Sequence, residues 1–185
     1  MSLRVVNPWT GDELATVPLA TAADADRAVA RAVEAFAKTR IAPRYARSEL
    51  LEGIAARLVE EKEAFAALLS AEAGKPLAAA RVEVDRAVIT FRLGAEVART
   101  LVGEQIPLDG TATTANVDGY ALRAPRGPIL GISPFNFPLN LVAHKVAPAL
   151  AVRAPIVLKP APQAPLTALR RRALNYELAP ETHWL

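Results

Sequence analysis

Three polar side chains stand where their types and spacing could do chemistry. Asn136 follows the apolar run Ile129-Leu130-Gly131-Ile132, inside the stretch Ser133-Pro134-Phe135-Asn136-Phe137-Pro138. Lys159 closes a second apolar run, Ile156-Val157-Leu158, and Lys145 lies between the two. Ligands of parallel sheets bind beyond the carboxyl ends of the strands, so an amide after one strand and a cation after the next are well placed. Taken singly, each has a plainer reading. Asn136 is a turn former, Lys159 a solvated lysine, and Lys145 a helix lysine reaching water along its alkyl stem. His144 and His183 have no partners at metal or triad spacing and read as structural or surface residues. The chain has no cysteine, which excludes disulfides, thiolate metal sites and a cysteine nucleophile of its own.

Composition narrows the partners. Hydrophobic residues make up 52% of the 185 and charged residues 22%, enough to bury a core. The net charge is only +3, its one obvious cluster is Arg170-Arg171-Arg172, and aromatics are 5%. Nucleic-acid binders concentrate charge on one face and interleave aromatics, so that class is disfavoured; the arginine cluster reads as a solvated helix start. No apolar run approaches the ~18 residues that span a bilayer, and the start, Met1 to Pro8, lacks a secretory apolar segment. The expectation is a cytoplasmic chain that binds neither nucleic acid nor membrane.

The elements that must hold these residues can be read by period. Asn7-Pro8-Trp9-Thr10-Gly11 is a turn between short extended stretches. Thr21, three residues before Asp24, marks a helix start, and Ala25, Val29, Ala32, Val33 and Phe36 predict a core-facing stripe. A second helical region begins near Pro43 and ends at Gly74, a candidate left-handed cap; Glu60-Glu61-Lys62-Glu63 is a solvated face or a break within it. A third long helix is predicted from about Pro76 to Val102. Thr111 to Val117 and Tyr120 to Ala124 predict two strands joined at Asp118-Gly119. The runs 129–132 and 156–158 read as buried strands flanking a helix over Pro138 to Val152, a right-handed parallel βαβ unit. Leu166 to Leu174 could begin another helix.

Three segments taken together name a family. Gly127-Pro-Ile-Leu-Gly-Ile-Ser-Pro-Phe-Asn-Phe-Pro-Leu-Asn140, Lys145-Val-Ala-Pro-Ala-Leu150 and Val157-Leu-Lys-Pro-Ala161 resemble the aldehyde dehydrogenase superfamily. Asn7-Pro-Trp-Thr-Gly11, Gly74-Lys75-Pro76 and the hairpin fit as well, so the resemblance runs from about residue 3 to Leu169. It implies an α/β fold: an N-terminal helical array, a β-hairpin and the first βαβ unit of an incomplete Rossmann-like sheet. The implied divisions are 1–107, helical part of the cofactor-binding domain; 108–126, an oligomerisation hairpin; 127–169, an incomplete dinucleotide-binding unit; and 170–185, a divergent tail.

The family reaction is NAD(P)-dependent oxidation of an aldehyde to a carboxylic acid. By resemblance, Asn136 donates its side-chain amide to the oxyanion formed when a cysteine attacks the aldehyde, and Lys145 supports the active site. Ile132, Ser133, Pro134 and Phe135 line the nicotinamide side of the cofactor. Lys159 reaches the adenine-side ribose or a 2′-phosphate. Pro162 stands where the family often has a Glu that repels a 2′-phosphate, so either NAD or NADP is expected.

Departures from the family pattern shape the rest. Arg153 occupies the usual place of a helix-ending glycine and, if φ is positive there, costs about 1 kcal/mol or more. The family's glycine motif, general-base Glu and nucleophilic Cys fall beyond residue 185, and the resemblance fades after Leu169. The leading expectation is therefore a truncated family member, inactive alone. Its alternatives are an assembly subunit that pairs through the 108–126 hairpin with a full-length or complementary chain, as homo- or hetero-oligomer, and a non-functional gene remnant.

Overall fold

The computed structural model describes residues 1–170; Arg171, Arg172, His183 and the rest of the expected tail lie outside the described residues. Strands β1 (Ser2–Val6) and β2 (Glu13–Pro18) pair antiparallel. Asn7 shapes the turn between them, its Oδ1 accepting the Trp9 amide at 2.9 Å. Helix α1 (Ala22–Thr39) begins at the expected residue. Thr21 Oγ1 accepts the Asp24 amide while the Asp24 carboxylate accepts the Thr21 amide, so two of the free donors of the helix start are satisfied reciprocally. Its buried line is Ala32, Ala35 and Thr39. The expected stripe is therefore corrected: Val29 and Val33 are 56% and 58% exposed. The valines lie on the solvent side of this narrow line.

The second helical region is two helices, α2 (Arg44–Glu60) and α3 (Lys62–Ala73), broken at Glu61. Gly74 ends α3 at φ 65°. A Cβ there would meet the Pro8 side chain at 2.7 Å, so both the dihedral and the space demand glycine. Helix α4 (Leu77–Thr100) runs back along α2 and α3 and leaves Val102, expected on its stripe, outside and exposed. Leu51, Ile54, Leu58, Phe65, Leu69, Val84 and Phe91 are fully buried between these helices. Each such side chain contributes roughly 1.5–3 kcal/mol on leaving water.

The hairpin differs from its expected form. Its strands are β3 (Glu104–Pro107) and β4 (Asp118–Ala121), so Asp118-Gly119 lies inside a strand and not at the turn. Thr111 to Val117 is not a strand. Thr111 and Thr114 join their hydroxyls at 2.9 Å, and the Thr114 and Val117 amides donate to the Thr111 and Thr114 carbonyls. Threonine hydroxyls bonding locally give the backbone an alternative to the ladder, and here it wins over strand propensity.

Strands β5 (Ile129–Ile132) and β6 (Ile156–Lys159) pair in parallel, with Leu130 opposite Val157 and Ile132 opposite Lys159. Helix α5 (Asn140–Ala151) crosses between them and seals Leu139, Val142, Val146 and Leu150 against the helical core. Gly131 packs toward Ile156 and Leu158, where a Cβ would crowd both. The reading of both strands as buried is corrected: of β6 only Ile156 is buried, with Val157 and Leu158 half-buried, and of β5 only Gly131. Alternation sends Leu130 and Ile132 to the other face, 65% and 59% exposed, and no helix among the described residues covers it.

Three helix ends meet a cluster of arginines. Buried Arg47 donates to the Ala151 carbonyl at the end of α5 and, at 3.5 Å, to the Ala98 carbonyl near the end of α4. Arg153 donates to the Arg40 carbonyl at the end of α1 at 3.2 Å, and its own carbonyl accepts from Thr39 Oγ1. Cations belong at carboxyl-terminal helix ends, where unpaired carbonyls carry partial negative charge. Arg153 has φ 69°, the strained left-handed value anticipated for the missing glycine.

Candidate functional site

The βαβ unit puts the candidate residues at one end of a sheet. The Ser133 amide donates to the Lys159 carbonyl at 3.1 Å, so the stretch beginning at Ser133 and the lysine leave adjacent strands side by side. Ser133 is buried; Ile132, Pro134, Phe135 and Asn136 are exposed beyond it. Lys159 and Pro162 are exposed as well, and Lys159 has no ion pair among the described residues. Lys145 is half-buried on α5, one residue beyond exposed His144; neither side chain makes a hydrogen bond among the described residues, and Lys145 is separated from Asn136 by the first turns of the helix.

The Asn136 side chain projects without a hydrogen bond among the described residues, but its backbone is held. Its carbonyl accepts from Lys75 Nζ at 3.1 Å, and the same ammonium lies 4.7 Å from the centre of the Phe137 ring. Lys75 also pairs with Glu83 on α4. Glu83 Oε1 accepts the amides of Leu139 at 2.9 Å and Asn140 at 3.1 Å. Helix α5 has no capping side chain of its own, so Glu83 satisfies its first donors from across the fold.

Glu72 does the same for the turn that starts at Leu166. It accepts the Leu166 amide at 2.7 Å, the Thr167 amide at 2.9 Å and the Thr167 hydroxyl. Burial nonetheless raises its pKa, opposed by these hydrogen bonds and reinforced by the Glu83 charge. Neither glutamate was singled out as functional from the sequence. The available signal was position: Glu72 follows Phe65 and Leu69 at helical spacing, and Glu83 lies between Ala80 and Ala87. Arg170, expected to be solvated, is exposed but paired with Glu61 at 2.7 Å and lies over the Phe65 ring.

A parallel strand pair, an Asn-Phe-Pro turn and a lysine at the neighbouring strand end form the decisive pattern, and the aldehyde dehydrogenase family model matches residues 1–179. The chain belongs to the aldehyde dehydrogenase family. It is 38% identical over 175 residues to 3-sulfolactaldehyde dehydrogenase of Priestia megaterium, covering 95% of this chain and 36% of that protein. With the protein of the same name from Pseudomonas putida, identity is 41% over 173 residues, 94% of this chain and 35% of the relative. The fold superposes on aldehyde dehydrogenase 21 of Physcomitrella patens, solved with the reaction product succinate, at TM-score 0.93 and 43% identity, covering 96% of this chain and 37% of that one. Glyceraldehyde-3-phosphate dehydrogenase of Methanocaldococcus jannaschii, solved with NADP, gives TM-score 0.92 at 33% identity, covering 99% and 39%. The α/β fold is thus that of aldehyde dehydrogenases, and the chain spans little more than a third of the length of these relatives. No helix among the described residues is long and apolar enough to cross a membrane.

Proposed function

We propose that this chain carries the oxyanion-binding amide and one rim of the nucleotide site of an NAD(P)-dependent aldehyde dehydrogenase. The observation that supports this most is the shared sheet end, where Ser133 and Lys159 are joined backbone to backbone with Asn136 three residues on. Asn136 Nδ2 donates to the carbonyl oxygen of an aldehyde as a nucleophile adds and charge builds there. A fixed donor aimed at developing charge lowers the barrier by about 3 kcal/mol. The 185 residues contain no cysteine, so the nucleophile comes from polypeptide outside them. Lys145 serves the same site in a supporting role.

The residues at the sheet end suit a dinucleotide. Ile132 to Phe135 offer a partly apolar wall for a nicotinamide ring, and Lys159 is an exposed cation within reach of ribose oxygens or a 2′-phosphate. Pro162 and Gln163 are neutral, so nothing there repels that phosphate, and NADP is accepted alongside NAD. The bound cofactor supplies the hydride acceptor.

A second reading rests on the bare Leu130 and Ile132 face and on the β3–β4 hairpin, whose first strand begins ahead of the expected 108–126 bounds: the chain assembles with a complementary or full-length family chain. One experiment addresses both. The chain is joined to the remaining portion of the Pseudomonas putida relative and assayed for aldehyde-dependent cofactor reduction. Turnover that Asn136→Ala abolishes supports the enzyme reading; turnover indifferent to that substitution overturns it. Association of the unjoined chain with the relative, without turnover, favours assembly.

A further inference from the structure

We infer that Lys75 and Glu83 are a positioning pair for Asn136, an assignment that rests on the oxyanion reading above. Two residues far in sequence from the 136–140 turn grip four of its five residues. Lys75 holds the carbonyl of Asn136 itself and covers the ring of Phe137; Glu83 holds the amides of Leu139 and Asn140. Their ion pair closes the clamp, with side chains only 14% and 1% exposed. Arg86, 5.8 Å from the Phe137 ring centre, adds a second cation to that ring.

The anchor is itself anchored. Gly74 turns the chain out of α3, and Trp9 Nε1 donates to the Gly74 carbonyl at 2.9 Å. Ser70 Oγ donates to the Lys75 carbonyl at 2.8 Å. The lysine therefore leaves a pinned backbone and reaches the turn in a fixed direction.

Stability alone does not account for this arrangement. A buried ion pair gives up so much hydration that well-packed apolar residues serve stability as well or better. What apolar residues cannot do is accept two amides at one oxygen and donate to a carbonyl. Those bonds fix the peptide plane between Asn136 and Phe137 and the two planes that carry the Leu139 and Asn140 amides, and with them the direction in which the Asn136 side chain leaves the backbone. The pair acts through Asn136 and touches no reacting atom.

The test uses the whole 185-residue chain, isotopically labelled, with Lys75→Met, Lys75→Arg and Glu83→Gln. Amide hydrogen exchange is read at Leu139 and Asn140, alongside the side-chain amide resonances of Asn136. Lys75→Met, which frees the carboxylate that holds them, and Glu83→Gln, which replaces that charged acceptor by a weaker neutral one, are expected to speed exchange at those two amides about tenfold, while the α4 amides of Val88 and Phe91 keep their rates. The Asn136 side-chain resonances broaden or shift in both. Lys75→Arg, which keeps a cation for Glu83, restores them. Exchange that rises equally across α4 and the turn, or Asn136 resonances that ignore Lys75→Met and fail to follow the arginine rescue, would overturn the assignment. If Glu83→Gln does not fold, the two Lys75 variants decide. Failure of the oxyanion reading would appear separately, as turnover in the joined enzyme that survives Asn136→Ala with these spectra unchanged.

Discussion

Asn136 combines a backbone bound on its carbonyl side with a side chain left to act, which is the division expected of a preorganised donor. In the joined enzyme, Asn136→Ala is expected to lower kcat about 10²- to 10³-fold with cofactor affinity unchanged, measured by steady-state kinetics and cofactor titration. Glu72 titrates differently from an ordinary carboxylate. Its folded pKa lies above 4.5, so between that value and the raised one the native state holds more protons than the unfolded chain. Its contribution to stability is fully present below 4.5 and is lost as pH rises through the folded pKa. Urea midpoints across that range are expected to fall for the native chain relative to Glu72→Gln, which cannot ionise; parallel curves would contradict this. Asn136 and Lys159 were legible in the sequence because each follows an apolar run within a family motif. Glu72 and Glu83 were not, since a charged residue on a helix reads as solvated until the fold shows which backbone donors await it.

Helix starts and ends show where local sequence suffices. The Thr21–Asp24 box lies within four residues and needs nothing distant, so α1 begins where the pattern says. Thr21→Ala is expected to cost about 1 kcal/mol, lowering the melting temperature by roughly 2–4 °C in a calorimetric scan. The start of α5 has no such local cap, and its acceptor sits 56 residues away on α4, beyond any spacing rule. At Arg153 the left-handed backbone was legible from the family's glycine and is present. Arg153→Val should destabilise by about 1–2 kcal/mol, because a β-branched residue fits that region worse than the arginine does. Arg153→Gly should fall within about 0.5 kcal/mol of the native chain, the relieved strain offset by a looser unfolded state. The hairpin failed as a reading because Asp118-Gly119 is a strong turn signal only when strands flank it, and the threonines before it bond to one another instead.

Among the described residues the helices enclose an apolar core, while the outer face of the β5–β6 sheet is left bare. Leu130 and Ile132 face outward on a parallel sheet, a type that nearly always has both faces covered. The chain alone is expected to self-associate and to bind a hydrophobic dye, and replacing both residues by lysine should shift light-scattering mass toward the monomer. An unchanged compact monomer before and after substitution would contradict it. Arg47 has a different reach. By bonding the ends of α4 and α5 from its place in the first turn of α2, it joins three helices at one guanidinium, so the final turn of neither α4 nor α5 can open without releasing a buried cation from its carbonyl. Those turns should therefore fray together: native-state exchange would show a single shared opening energy at the far ends of α4 and α5, and shortening this one side chain would let them breathe at separate rates.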